Sequence, residues 1–316
     1  MSAVQWRPLS TRLKGVPAAT AWREPVPAAL EGPLRDWVAG ALSRSAFPFG
    51  MPRLRIASRV VLRLNLVLPD AEDGEDDETL SDSDEEAREF LAYGTPVGLL
   101  PDVADAVLDL LPVSVDRDQV GIVWKSAVAE MRGSLRRLLD DALSVLQVRA
   151  DGRGLERRSD ALAEAALTEA VKGAQAAPSA GSAAAHLRAA WESVYALHPD
   201  PGKAYGEAIK AVESAAHAVV EPRRAKATLG TMLGQLRTNP DRFSLVIVGP
   251  EGRGDVGPLI ECLTLLWEGQ SSRHGSSVPT REETLEEATM ALHLAVMLVQ
   301  WFTSGAVRRS GKNLAG

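Results

Sequence analysis

The chain has 316 residues, 45% of them hydrophobic and 24% charged, with a net charge of −7. That length allows two or three domains, and the composition is that of an ordinary globular protein. No apolar run reaches the ~20 residues needed to span a bilayer, the opening residues lack an apolar signal core, and the lone Cys262 excludes an intrachain disulfide and a thiolate cluster. A cytoplasmic protein with no membrane partner is expected.

The net charge is concentrated in one place. Residues 70–89 hold twelve acids and one base, Arg88, a local charge of −11 that leaves the remainder at +4. The folded part is therefore mildly basic, which is compatible with nucleic-acid contact without requiring it.

Residues 1–69 form a proline-rich and then helical region. Pro8, Pro17, Pro25, Pro27 and Pro33 exclude a long helix before residue 33. A helix is predicted from about Pro33, carrying Leu34, Trp37, Val38 and Leu42. Another is predicted over 53–66. Its face holds Leu54, Ala57, Val61 and Leu64, and Arg55, Arg59 and Arg63 recur every four residues on another face. That arginine row either grips phosphates or, as charge runs usually do, forms a solvated face that pairs with the acidic segment. Residues 70–89 are too charged to bury and read as a flexible loop. They lack the EF-hand spacing, so calcium is not expected.

Residues 90–176 read as helices, at about 103–111, 119–139 and 160–175, interrupted by a β-hairpin over about 145–158. The hairpin has Asp151-Gly152 at its turn. A low-complexity Ala-Pro-Ser-Ala-Gly patch at 177–181 links to a helical bundle over 182–307, followed by a basic tail, 308–316. In the bundle, Leu187, Trp191 and Val194 share one face. Asp200-Pro201 is a helix start, and Ala204, Ala208, Ala211, Ala215 and Val219 form a small-residue stripe. Glu207 and Lys210 face outward as an i,i+3 pair. A helix begins near Thr228 and ends by Asn239-Pro240. Residues 243–248 read as a strand-like loop crossing the core, and 256–269 as a helix. The last helix opens with a capping box at Thr280-Arg281-Glu282-Glu283 and ends near Gly305. Trp267, Trp301 and Phe302 read as core. The predicted fold class is mainly α.

Phosphate loops and nucleophile elbows are absent, as are HExxH and paired-cysteine motifs, so no cofactor and no metal are expected. The glycine-rich run 249–254 follows no βα context and reads as a flexible loop. The pair with chemical potential is Arg273-His274, in the turn before the last helix. A guanidinium fork matches phosphate oxygens, and an imidazole titrates near neutral pH. Together they suit metal-free attack of a ribose 2′-OH on the adjacent phosphate, but an isolated Arg-His pair is more often a structural or surface feature. His186, His198, His217 and His293 have no partner visible in the sequence and read as structural.

Three segments, in order, resemble the HEPN-like C-terminal domain of abortive-infection-type bacterial proteins. The run from Ala204 to Ser214 resembles its apolar helix with an Ile-x-x-Val-Glu core. Lys226-Ala227-Thr228-Leu229-Gly230 is similar to its Lys-Ala-Thr-Leu-Gly element, and Arg273-His274-Gly275 to its Arg-His loop. The resemblance covers about residues 183–307. It implies a helical bundle, a homo-oligomer, a role in phage defence with RNA as a partner, and a second protein of a defence system. Arg273 and His274 would be catalytic, with Glu213 orienting the pair. Lys226, with Arg273, would contact nucleic acid. Ribonucleases of this kind carry an Arg followed by four to six residues and the His. Counting back from His274 reaches Gly269, Glu268 and Trp267 instead. The alternative is a non-catalytic interaction, sensor or dimerisation module.

Overall fold

The computed structural model describes residue 22 and residues 24–43, 56–69, 82–111, 119–249, 252, 254–270 and 281–310. The fold is mainly helical, with two small antiparallel strand pairs among the described residues. No helix among them is long and apolar enough to cross a membrane. The chain divides into two compact units, Met1–Arg158 and Ser159–Gly316.

In the first unit, α1 (Ala28–Leu42) buries Leu30, Leu34, Trp37, Val38, Ala41 and Leu42. It starts five residues before the predicted Pro33, because Leu30 already belongs to the buried stripe. Pro33, which removes one backbone N–H, is carried inside the helix. α2 (Ile56–Arg63) ends three residues before the predicted Leu66 and buries Ile56, Ala57, Val60 and Val61. Leu54 and Arg55 lie outside the described residues. Of its arginines, Arg59 is exposed and Arg63 donates to Asp109 Oδ2 at 2.6 Å; most of the acidic segment lies outside the described residues.

The acidic segment is not wholly a loop. Residues 82–89 form α3 (Asp82–Glu89), which runs into a π-turn at Phe90–Gly94. Ala87 and Leu91 are buried, and Asp84 Oδ1 accepts from Ser58 N–H at 3.0 Å and Ser58 Oγ at 2.8 Å. This charged helix packs against α2 and also touches α1.

α4 (Leu100–Leu110) and α5 (Gln119–Asp141) follow; α1 packs on both. β1 (Leu146–Val148) and β2 (Leu155–Arg157) pair antiparallel, with Val148 opposite Leu155. That register leaves 149–154 as the loop, so Asp151-Gly152 does not make the two-residue turn its sequence suggests. Gly152 adopts φ +71° and donates to the Arg149 carbonyl at 2.9 Å.

The second unit begins before the predicted residue 182. α6 (Ala161–Ala176), capped by Asp160 through the N–H groups of Leu162 and Ala163, packs on the last helix, and its Ala170, Val171 and Ala174 join the bundle core. The core is completed by α7 (Ala183–Tyr195), α8 (Pro201–Val220), α9 (Leu229–Thr238), α10 (Gly257–Gly269) and α11 (Leu285–Thr303). The small-residue stripe of α8 lies between α7 and α11, with Ala204, Ala208, Ala211 and Ala215 all buried.

Two predictions for this unit are corrected. Residues 243–248 do not cross the core. β3 (Phe243–Leu245) buries only Phe243 and pairs antiparallel with β4 (Val307–Arg309), while Val246, Ile247 and Val248 are 47%, 75% and 59% exposed. The last capping box is Thr284 with Glu287, four residues beyond the one predicted. Glu287 N–H donates to Thr284 Oγ1 at 3.2 Å and Thr284 N–H to Glu287 Oε2 at 2.9 Å. Gly305 follows the helix with φ +73°, the left-handed residue predicted there.

Candidate functional site

The bundle brings two of the three motif segments together. Glu213, two turns before the end of α8, accepts at Oε1 from the N–H of Leu229 at 2.7 Å. Leu229 opens α9, where the first backbone N–H groups have no partner within the helix. Thr228 caps the same end through a reciprocal box with Thr231, whose hydroxyl also donates to Glu221 Oε2 at 2.8 Å. The N-terminus of α9 is thus held by one carboxylate from α8 and one hydroxyl of its own.

Close backbone approach brings α10 to the same place. A methyl group at Gly230 would lie 2.7 Å from Cζ2 of Trp267, and one at Gly269 would lie 2.2 Å from the Tyr205 hydroxyl. Both glycines are required by packing and not by φ. Beyond them, Gln270 Nε2 lies 3.5 Å from where a Gly206 methyl would stand, and Glu283 Oε2 lies 3.6 Å from that of Gly202. The chain on both sides of residues 271–280 therefore rests against the first turns of α8.

Of the predicted site residues, Glu213 and Lys226 are described. Glu213 is half-buried and caps α9. Lys226 is exposed in the α8–α9 connection and makes no hydrogen bond or ion pair among the described residues. Arg273 and His274 lie outside the described residues. Trp267 packs on Gly230, Glu268 is exposed and Gly269 faces Tyr205, so positions 267 and 269 are committed to packing.

The structure supplies partners that the sequence did not reveal. His186 Nδ1 lies 2.6 Å from Glu207 Oε2, and Glu207 Oε1 accepts from Lys210 Nζ at 2.7 Å. Burial pushes the Glu207 carboxyl up, but the hydrogen bonds from Lys210 and His186 outweigh it and hold it below the usual range. His217 Nε2 bonds the Arg224 carbonyl at 2.7 Å, and His293 Nε2 lies 3.4 Å from the Tyr195 hydroxyl. Burial, then the charge on Glu261, pushes the Cys262 thiol up, which disfavours a nucleophilic thiolate. No group of three or more metal-ligating side chains occurs among the described residues.

A second cluster surrounds the hairpin loop of the first unit. Arg132 and Arg136, one turn apart on α5, meet Arg149 and Arg153 there. Its sequence signal was the i,i+4 pair together with two arginines flanking Asp151-Gly152, but only the fold places the loop on that helix face. Comparison with family models, with curated proteins and with solved structures gives no match.

Proposed function

We propose that the second unit is a HEPN-like domain of a phage-defence protein that acts on RNA without a metal. In this reading His274 takes the proton of a ribose 2′-OH as its oxygen bonds to the adjacent phosphorus. The bond to the 5′ oxygen breaks, that oxygen takes a proton from water, and Arg273 offsets the charge that develops on the phosphate. Lys226 would hold a neighbouring phosphate.

The observation that supports this reading is the Glu213–Leu229 hydrogen bond, which joins the Val-Glu and Ala-Thr-Leu-Gly segments at 2.7 Å. Gly206, beside Gln270, and Glu213 are seven residues apart on one face of α8, about 10 Å along its axis. His274 is four residues beyond Gln270, a reach of up to about 14 Å, so the chain is long enough to bring it to Glu213. The full chain incubated with RNA and a chelator should cleave it, and His274→Ala should abolish the cleavage. Equal cleavage by the two proteins refutes the nuclease reading.

A non-catalytic interaction or dimerisation module is the second reading. It is favoured by the packing of Trp267 and Gly269, which occupies positions where the family ribonucleases carry an arginine. On this reading His274→Ala leaves RNA untouched and instead lowers the melting temperature or the oligomeric state, read by scanning calorimetry and sedimentation.

A further inference from the structure

The arginine cluster of the first unit is independent of the reading of the second. We propose that Arg132, Arg136 and Arg153 form a phosphate-binding site, taking the phosphate of a nucleotide or of an RNA strand.

The geometry rests on two elements. The i,i+4 spacing puts Arg132 and Arg136 on one face of α5. The hairpin loop folds onto that face: Arg136 donates to the Arg149 carbonyl at 3.3 Å, and a methyl group at Gly152 would lie 2.9 Å from Nε of Arg132. Only a glycine at φ +71° lets the loop backbone come that close.

Among the described residues, three carboxylates around the hairpin are already engaged. Asp109 accepts from Arg153 at 3.0 and 3.2 Å through one oxygen and from Arg63 at 2.6 Å through the other. Asp151 accepts from Arg149 at 3.1 Å and from the Arg153 N–H at 2.8 Å. Asp105 accepts from the Leu155 N–H at 2.6 Å. Among the described residues Arg132 is left with one long contact, from Nη2 to the Leu111 carbonyl at 3.5 Å, and its Nε is buried with no acceptor. Neither Arg132 nor Arg136 has an ion pair among the described residues.

This arrangement is unfavourable without an anion. Burial pulls the Arg132 pKa down, and the charges on Arg136 and Arg153 pull the same way, opposed only by Asp151. Arginine nevertheless stays charged at neutral pH. A buried donor without an acceptor and like charges side by side call for a compensating ligand. A phosphate presents several oxygens in different directions, which suits guanidinium groups arriving from a helix and from a loop.

The test is binding of ATP and of a labelled single-stranded RNA to the full chain at low salt, by calorimetry and fluorescence anisotropy. Arg132→Met and the exposed Arg136→Gln are compared with wild type, and thermal melts check that each variant is folded. Each variant should bind at least one probe about tenfold or more weakly. A loss for ATP alone assigns the site to a free nucleotide, and a loss for RNA alone assigns it to a strand. The proposal is overturned if wild type binds neither probe, or if folded variants bind both as tightly as wild type. RNA cleavage dependent on His274 is read separately, so the two ideas fail separately.

Discussion

Glu213 is the residue on which the structural and the catalytic accounts of the second unit make opposite predictions. Its Oε1 accepts from the Leu229 N–H at 2.7 Å, and Leu229 is fully buried at the start of α9. Removing the carboxylate in Glu213→Ala leaves that N–H without this acceptor. A hydrogen bond to a charged group contributes about 1.5–3 kcal/mol net. In a domain of this size each kcal/mol moves Tm by about 2–4 °C, so the expected drop is about 3–12 °C. Glu213→Gln keeps an acceptor oxygen for Leu229 and loses the favourable charge at that helix N-terminus, about 0.3–1 kcal/mol. The assay is scanning calorimetry of both variants alongside RNA cleavage. The capping argument is refuted if Glu213→Ala melts like wild type, or if the two variants fall equally. If Glu213→Gln keeps its Tm yet loses cleavage, the carboxylate charge acts in the chemistry as well.

Gly254→Ala would place a methyl carbon 1.8 Å from the Leu245 carbonyl oxygen, and it should cost about 1–3 kcal/mol by overpacking, measured by chemical denaturation. Arg281 donates twice to Glu287, at 2.5 and 2.7 Å, and with the Thr284 N–H it holds the exposed Glu287 carboxyl at about 2 against an ordinary 4.5. A depressed carboxyl contributes stability above its unfolded pKa, and this is lost as pH falls from about 4.5 to about 2. Arg281→Gln should therefore raise the Glu287 midpoint in an NMR titration and move the acid loss of α11 to higher pH. Asp105 behaves oppositely: burial raises its pKa despite the bond from Leu155, so its ionisation costs stability as pH rises above the ordinary value of 3.8. Asp105→Asn keeps an acceptor and should match or exceed wild-type stability at pH 7, with the advantage vanishing below pH 3.8.

Periodicity made the bundle legible because each helix buries one continuous stripe. Leu187 with Val194, Ala204 with Ala208, and Leu292 with Val299 are all buried as their spacing requires. Choices between equivalent local signals were not legible. Thr280-x-x-Glu283 and Thr284-x-x-Glu287 satisfy the same capping pattern. The second is used because it puts Leu285 directly into the apolar stripe and lets Arg281 reach Glu287. The acidic segment misled for a different reason. Composition measures what solvation a segment demands on average, whereas α3 turns Ala87 inward and sets Asp84 on Ser58. The arginine cluster was hidden because Arg132 and Gly152 are twenty residues apart, and their contact exists only once β1 and β2 have paired.

The glycine at 269 bears on what kind of site the second unit can carry. In the ribonucleases that the proposed reading invokes, an arginine precedes the histidine by five to seven positions, and here those positions hold Trp267, Glu268 and Gly269. The Gly269 backbone passes so close to Tyr205 that even a methyl group would lie 2.2 Å from the hydroxyl oxygen. Tyr205 is 5% exposed and packed in the core, so the ring has little room to yield. An arginine stem at 269 must therefore displace Tyr205, and Gly269→Arg should cost about 1–3 kcal/mol without creating cleavage. If the clash is with the hydroxyl, Gly269→Ala should cost less in a Tyr205→Phe background than in wild type. The coupling from the double-mutant cycle measures that contact. Additive costs would show that the approach is not what requires a glycine there. A strong coupling would show that position 269 is spent on the approach of the end of α10 to Tyr205 of α8, as position 267 is spent on Gly230 of α9.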